Sequence, residues 1–190
     1  MNQIIIIHGM PDKEEYLGDL WPSPSNAHWI PWLQKELSRK EVLSQAPEMP
    51  RPYELNYQEW LDVFEQFKIS NKTTLIGHSC GGGFLLRYLS EHPEINPKKV
   101  ILVAPWIDPE PHELEEGNDF FKFKIDEDVV SRTSLHVMYS TDDLGPCIRS
   151  AEIIRIAIPN ATYHVYTDKG HFTEPDLGGK AFPELFELIK

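Results

Sequence analysis

The run Thr73-Thr74-Leu75-Ile76-Gly77-His78-Ser79-Cys80-Gly81 governs the reading of the whole chain. Its first four residues are β-branched or apolar and read as a buried strand. Beyond it, Phe84, Leu85, Tyr88 and Leu89 fall at helical spacing, in a helix that stops before Pro93. Between strand and helix lies Gly77-His78-Ser79-Cys80-Gly81, a G-x-S-x-G pattern in the setting that a nucleophile elbow requires. The turn is sharp, so its flanks must be small, and both are glycine. Gly82 and Gly83 extend the run and allow close helix packing. A serine presented there stands above the sheet at the positive end of a helix, which favours a developing oxyanion. Cys80 is the neighbour of that nucleophile, with a packing role.

Outward from this unit the pattern repeats. Ile4 to Ile7 is a compact strand that runs into His8-Gly9, and residues 28–39 read as a helix. Val42-Leu43 begins a short strand that Pro47, Pro50 and Pro52 end. Asn56 with Glu59 three positions on reads as a helix cap before Trp60, Leu61, Phe64 and Phe67. Val100 to Val103, Leu135 to Tyr139 and Ala161 to Tyr166 are further strands. Residues 148–158 and the stretch from Phe182 to Ile189 are further helices. Strands alternating with helices predict a three-layer α/β/α sandwich: a mostly parallel sheet of about six strands in one domain over 1–190. Residues 106–130, rich in Pro, Glu and Asp, break the rhythm as a small insertion or loop near the site. Their Phe120, Phe121 and Phe123 either line an acyl or leaving-group pocket or form a satellite core.

A parallel sheet binds ligands beyond the carboxyl ends of its strands, and reactive residue types gather at those ends. A serine hydroxyl is a weak nucleophile that needs a base, commonly a histidine oriented by a carboxylate. The chain supplies them in the order serine, aspartate, histidine. Tyr139-Ser140-Thr141-Asp142-Asp143 follows one strand, and Lys169-Gly170-His171-Phe172 follows the last. Either Asp142 or Asp143 fits as the acid, with Asp143 preferred. His164 lies inside a strand pattern and reads as structural. After the first strand, His8-Gly9-Met10-Pro11 fits an oxyanion loop, in which the Met10 and Cys80 backbone amides hold the oxyanion. Gly9, His78 and Trp106 are expected to border the substrate.

Composition limits the remaining classes. The 190 residues are 41% hydrophobic and 25% charged, an ordinary globular balance. A formal charge of −12 argues against nucleic acid and against anionic membrane surfaces as partners. Two cysteines, Cys80 and Cys147, make no disulfide framework, and neither sits in a C-x-x-C pair. No signal peptide or apolar run of spanning length is visible, so a cytoplasmic location is expected. His112-Glu113-Leu114-Glu115 is not a zinc-protease motif, and no metal or cofactor is expected.

The elbow at 77–81, the Ser-Thr-Asp-Asp run and the late Gly-His-Phe together resemble the α/β-hydrolase superfamily. More narrowly, they are similar to the small cap-less serine hydrolases related to retinoblastoma-binding protein nine. That resemblance implies Ser79 as nucleophile, Asp143 as acid and His171 as base. It implies hydrolysis of small-molecule esters, thioesters or amides through an acyl-enzyme. His-Gly-Met-Pro departs from a glycine-rich oxyanion loop, and no L-x-C-x-E segment is present, so a retinoblastoma-type partner is not implied. An acyltransferase with the same triad, or a non-catalytic protein-binding module on the same scaffold, are the alternatives. Oligomeric state is not legible.

Overall fold

A computed structural model describes residues 3–189. Its strands are β1 (Gln3–Ile7), β2 (Leu43–Gln45), β3 (Thr73–His78), β4 (Lys99–Val103), β5 (Ser134–Ser140) and β6 (Thr162–Tyr166). They form one six-stranded sheet in the order β2-β1-β3-β4-β5-β6, with every pairing parallel. The helices are α1 (Lys13–Leu17), α2 (Ile30–Ser38), α3 (Tyr57–Phe64), α4 (Cys80–Glu91), α5 (Val129–Arg132), α6 (Gly145–Ala157) and α7 (Pro183–Ile189).

Alternation along each strand divides the core in two. Ile5, Ile7, Leu75, Leu102 and Val137 face one layer, where they meet α3, α4 and α6 through Trp60, Phe84 and Ile154. Ile4, Ile6, Ile76, Val103 and Met138 face the other, where Leu33 of α2 and Leu185 of α7 cover them. The sheet is thus buried on both sides, which is why its central strands read as unbroken apolar runs. Each of these isoleucines, taken fully out of water, contributes roughly 1.5–3 kcal/mol.

Asn56 caps α3 as its sequence suggests, its side-chain oxygen accepting from the Glu59 N–H at 3.1 Å. The Glu59 side chain does not return the bond; it pairs with Arg51 instead. Residues 106–130 carry little regular structure, and their phenylalanines form no separate satellite core: Phe120 belongs to the core layer of Trp60 and Phe84, with Phe121 and Phe123 packed against it. Phe120 is fully buried, edge-on to Trp60 at 5.1 Å, and Phe121 packs on Trp106 at the same distance.

The chain builds β1 and β2 on one side and then crosses to β3 and onward. The strand order therefore reverses beside β1 and β3, and loops leaving their carboxyl ends diverge to open a crevice. Gly9 follows β1 and Ser79 follows β3, so both arrive at that crevice. No helix among the described residues is long and apolar enough to cross a membrane.

Candidate active site

Ser79 occupies φ 54°, ψ −123°, a conformation that side chains rarely adopt. Backbone bonds hold it there. Its N–H donates to Val103 O at 2.9 Å, and its carbonyl accepts from the amides of Gly82, Gly83 and Trp106. The bonds from Gly82 and Gly83 satisfy amides in the first turn of α4, and the one from Trp106 ties the loop after β4 to the elbow. The flanking glycines are needed for contact. A Cβ on Gly77 would lie 2.5 Å from Gly81 O, and one on Gly81 would lie 2.4 Å from His8 O.

Asp143 and His171 meet at the neighbouring strand ends. His171 Nδ1 donates to Asp143 Oδ1 at 2.8 Å, and the Asp143 side chain is only 1% exposed. A proton on Nδ1 leaves the lone pair on Nε2. Ser79 and His171 line one cavity of about 920 Å³, with no hydrogen bond between their side chains in this arrangement. Such bonds commonly tighten only with substrate in place. Asp142 has a different task. It accepts from Ser140 Oγ and from the Gly170 N–H at 3.1 Å, and these bonds, led by the one from Ser140, hold its carboxyl below the usual range. It braces the turn that delivers His171, while Asp143 faces the imidazole.

The loop carrying His171 is held from several sides. Asp176 Oδ2 accepts from the His171 N–H at 3.0 Å and from the Thr173 hydroxyl at 2.7 Å. His78 Nε2 donates to the His171 carbonyl at 2.8 Å, and His28 Nδ1 accepts from the Glu174 N–H. Burial, followed by the nearby His171 and His28, keeps the His78 pKa well below the ordinary histidine value. His78 reaches the cavity wall, but its donor nitrogen is engaged with His171.

On the opposite wall, His8 sets the loop after β1. Its Nδ1 donates to Gly9 O at 2.8 Å and its Nε2 accepts from the Met49 N–H at 2.9 Å, which fixes a neutral tautomer. Burial is the main cause of its lowered pKa. The Gly9–Met10 peptide is planar and trans, so pinning its oxygen also sets the direction of the Met10 N–H. The Met10 amide, with those of Gly81 and Cys80, acts on the Cys80 thiol and offsets a smaller part of the effect of its burial. The Cys80 thiol itself is fully buried and its pKa is raised by that burial, which leaves it a poor nucleophile.

The remaining expected residues divide. Gly9 and Met10 line the cavity. Trp106 does not: it is 5% exposed and packed on Phe121, its backbone amide serving the elbow. Residues 106–130 leave the cavity wall to the 10–30 loop, with Tyr16, Trp21 and Pro24, and to residues 173–180. His164 pairs with His136 at 3.0 Å, away from that cavity. Sequence reasoning missed His28 and Asp176. Asp176 has a faint local signal, an acid three residues after Thr173; His28 has none. Among the described residues one group has donors close enough for a metal ion, Asp143, Cys147 and His171.

A family model described as steryl acetyl hydrolase matches residues 42–143, slightly more than half the chain. YdeN of Bacillus subtilis (strain 168), named as a hydrolase, is 28% identical over 193 residues, covering 98% of this chain and 94% of its own. The serine hydrolase RBBP9 of Rattus norvegicus is 27% identical over 167 residues, covering 85% of this chain and 84% of its own. The solved structure of the B. subtilis ydeN product superposes with a TM-score of 0.78 at 24% identity, covering 100% of this chain and 97% of its own. An esterase from Exiguobacterium antarcticum gives 0.61 at 16% identity, with 100% and 90% covered. Those two likenesses speak for the α/β-hydrolase fold, and the family match adds the class of chemistry. The chain belongs to the steryl acetyl hydrolase family and is a small α/β-hydrolase related to RBBP9, an enzyme of the hydrolase class.

Proposed function

We propose that this hydrolase cleaves small-molecule esters, thioesters or amides through a Ser79–His171–Asp143 triad and an acyl-enzyme. The observation that carries the reading is the 2.8 Å Asp143–His171 hydrogen bond at the edge of the cavity that Ser79 also lines. His171 Nε2 takes the Ser79 proton as Oγ attacks the carbonyl. Asp143 keeps the imidazole in the tautomer that can accept this proton and stabilises the imidazolium that forms. The Cys80 and Met10 amides receive the negative charge on the tetrahedral oxygen. His171 then protonates the leaving group, and water, activated by the same nitrogen, releases the acyl group.

A cavity of about 920 Å³ is of the size that encloses a small ligand. Met10, Tyr16, Trp21 and Pro24 make one part of its wall apolar, while Asp12, Glu15 and Glu174 border it with negative charge that exceeds the positive charge of Lys180, paired with Glu174 at 3.8 Å. This combination favours an uncharged, bulky alcohol or amine portion over an anionic one, in keeping with the family's description.

Labelling with a fluorophosphonate probe tests the assignment. Wild-type protein is expected to be modified at Ser79, located by mass spectrometry, and Ser79→Ala to remain unlabelled yet folded. Labelling that persists in Ser79→Ala, or a folded wild type that never reacts, would overturn it.

A further inference from the structure

We propose that Asp143, Cys147 and His171 form an inhibitory site for a zinc-class divalent cation, the ion displacing the proton between Asp143 and His171. As regulation, this rests on reading His171 as the base; as a binding site, it rests on the side chains alone. A carboxylate oxygen of Asp143, Sγ of Cys147 and a ring nitrogen of His171 all lie within 4.8 Å of one another. Asp143 adds a second observation. Its side chain is 1% exposed, and its Oδ2 is buried without a hydrogen-bond partner. A buried carboxylate oxygen with an unused lone pair, beside a thiol and an imidazole, is an unfilled acceptor that a cation satisfies.

Cys147 lies in the first turn of α6, four residues after Asp143, so the two reach the same spot from one short stretch of chain. Burial and then the Asp143 carboxylate keep the thiol protonated, so it is inert while no cation is present. Thiolate, imidazole and carboxylate are the donor set that Zn²⁺ takes in preference to Mg²⁺ or Ca²⁺. Bonds of about 2.0–2.3 Å require donors roughly 3.3–3.8 Å apart, so the widest pair must close by about 1 Å. Rotation of the Cys147 side chain supplies that movement; of the three ligands only His171 lines the cavity, so the ion enters past its imidazole. The Cys147 thiol proton and the His171 Nδ1 proton leave to water, and no electrons are transferred. Asp143 then no longer orients the imidazole, whose Nε2 is a weaker base once Nδ1 holds the ion.

Two measurements test this on the full-length protein. Titration with Co²⁺, which substitutes for zinc and absorbs visibly, is expected to give a thiolate-to-cobalt band at one equivalent. The band should persist in Ser79→Ala and vanish in Cys147→Ser and Cys147→Ala. In parallel, Zn²⁺ is expected to inhibit ester hydrolysis by wild type, reversibly with chelator. Cys147→Ser should need at least about tenfold more zinc while keeping its turnover without metal. No thiolate band in wild type, or equal inhibition of both cysteine variants and wild type, overturns the proposal. A band in a protein that hydrolyses nothing would leave the site standing and fail the hydrolase assignment instead.

Discussion

His78 Nε2 donates to the carbonyl oxygen of His171 at 2.8 Å, so the residue before the elbow serine anchors the backbone of a residue 93 positions later. With Asp176 on the His171 N–H, both backbone polar groups of that residue are held by side chains. Removing one anchor lets the imidazole drift, and displacements near 1 Å can cost about 100-fold in rate. His78→Ala is therefore expected to lower kcat for a chromogenic ester by about 10- to 100-fold, with a smaller change in KM. Unchanged kcat in a folded variant would reduce His78 to a packing residue.

The two adjacent acids should separate cleanly. Asp143→Asn keeps the shape but no longer fixes the tautomer of His171, and kcat should fall by roughly 10⁴-fold. Asp142→Asn removes an exposed brace on Gly170 and should cost no more than about tenfold. Steady-state kinetics on the purified variants would decide, and equal losses would mean that Asp142 shares the catalytic task.

Acid should destabilise the fold before the carboxylates titrate. His8 and His78 are buried with pKa values below 6.5 in the folded state. Below that pH the unfolded chain binds protons that the folded chain refuses, so unfolding becomes easier as pH falls. Each such histidine contributes a slope approaching about 1.4 kcal/mol per pH unit. Denaturant unfolding at pH 7 and 5.5 should show a loss of about 1–3 kcal/mol. Stability that is flat or rises over this interval would contradict the neutral assignment.

Trp21 is 58% exposed yet lines the cavity, so its packing contributes little to the fold. Trp21→Ala should shift stability by no more than about 0.5 kcal/mol. It should raise KM for esters of bulky alcohols more than for methyl esters. A matched panel of esters compared with thermal melts would show whether the two effects separate.

The elbow, the sheet and the chain order of the candidate triad were legible because each is written locally. β-branched runs mark the strands, and Gly77 and Gly81 mark a turn that no larger residue can make. Phe120 was ambiguous because its burial depends on Trp60 and Phe84, which the fold brings to it from distant segments. The 10–30 loop has no periodicity to announce that it walls the cavity, and Trp106 has an aromatic side chain that suits a pocket or a core equally. His28 was invisible for a related reason. Its role is one bond to the Glu174 amide across 146 positions, and no pattern near His28 encodes that partner.

Ser79 is held in its unusual conformation by backbone bonds alone, with no side-chain cap. The strain of about 1–3 kcal/mol therefore belongs to the position, whatever side chain stands there. Alanine would inherit it, whereas glycine, tolerant of positive φ, would shed most of it. An inert glycine form should outlast the active protein on heating. A lineage selected only to stay folded would drift toward glycine at this position, and only continued demand for the reaction would hold the serine in place.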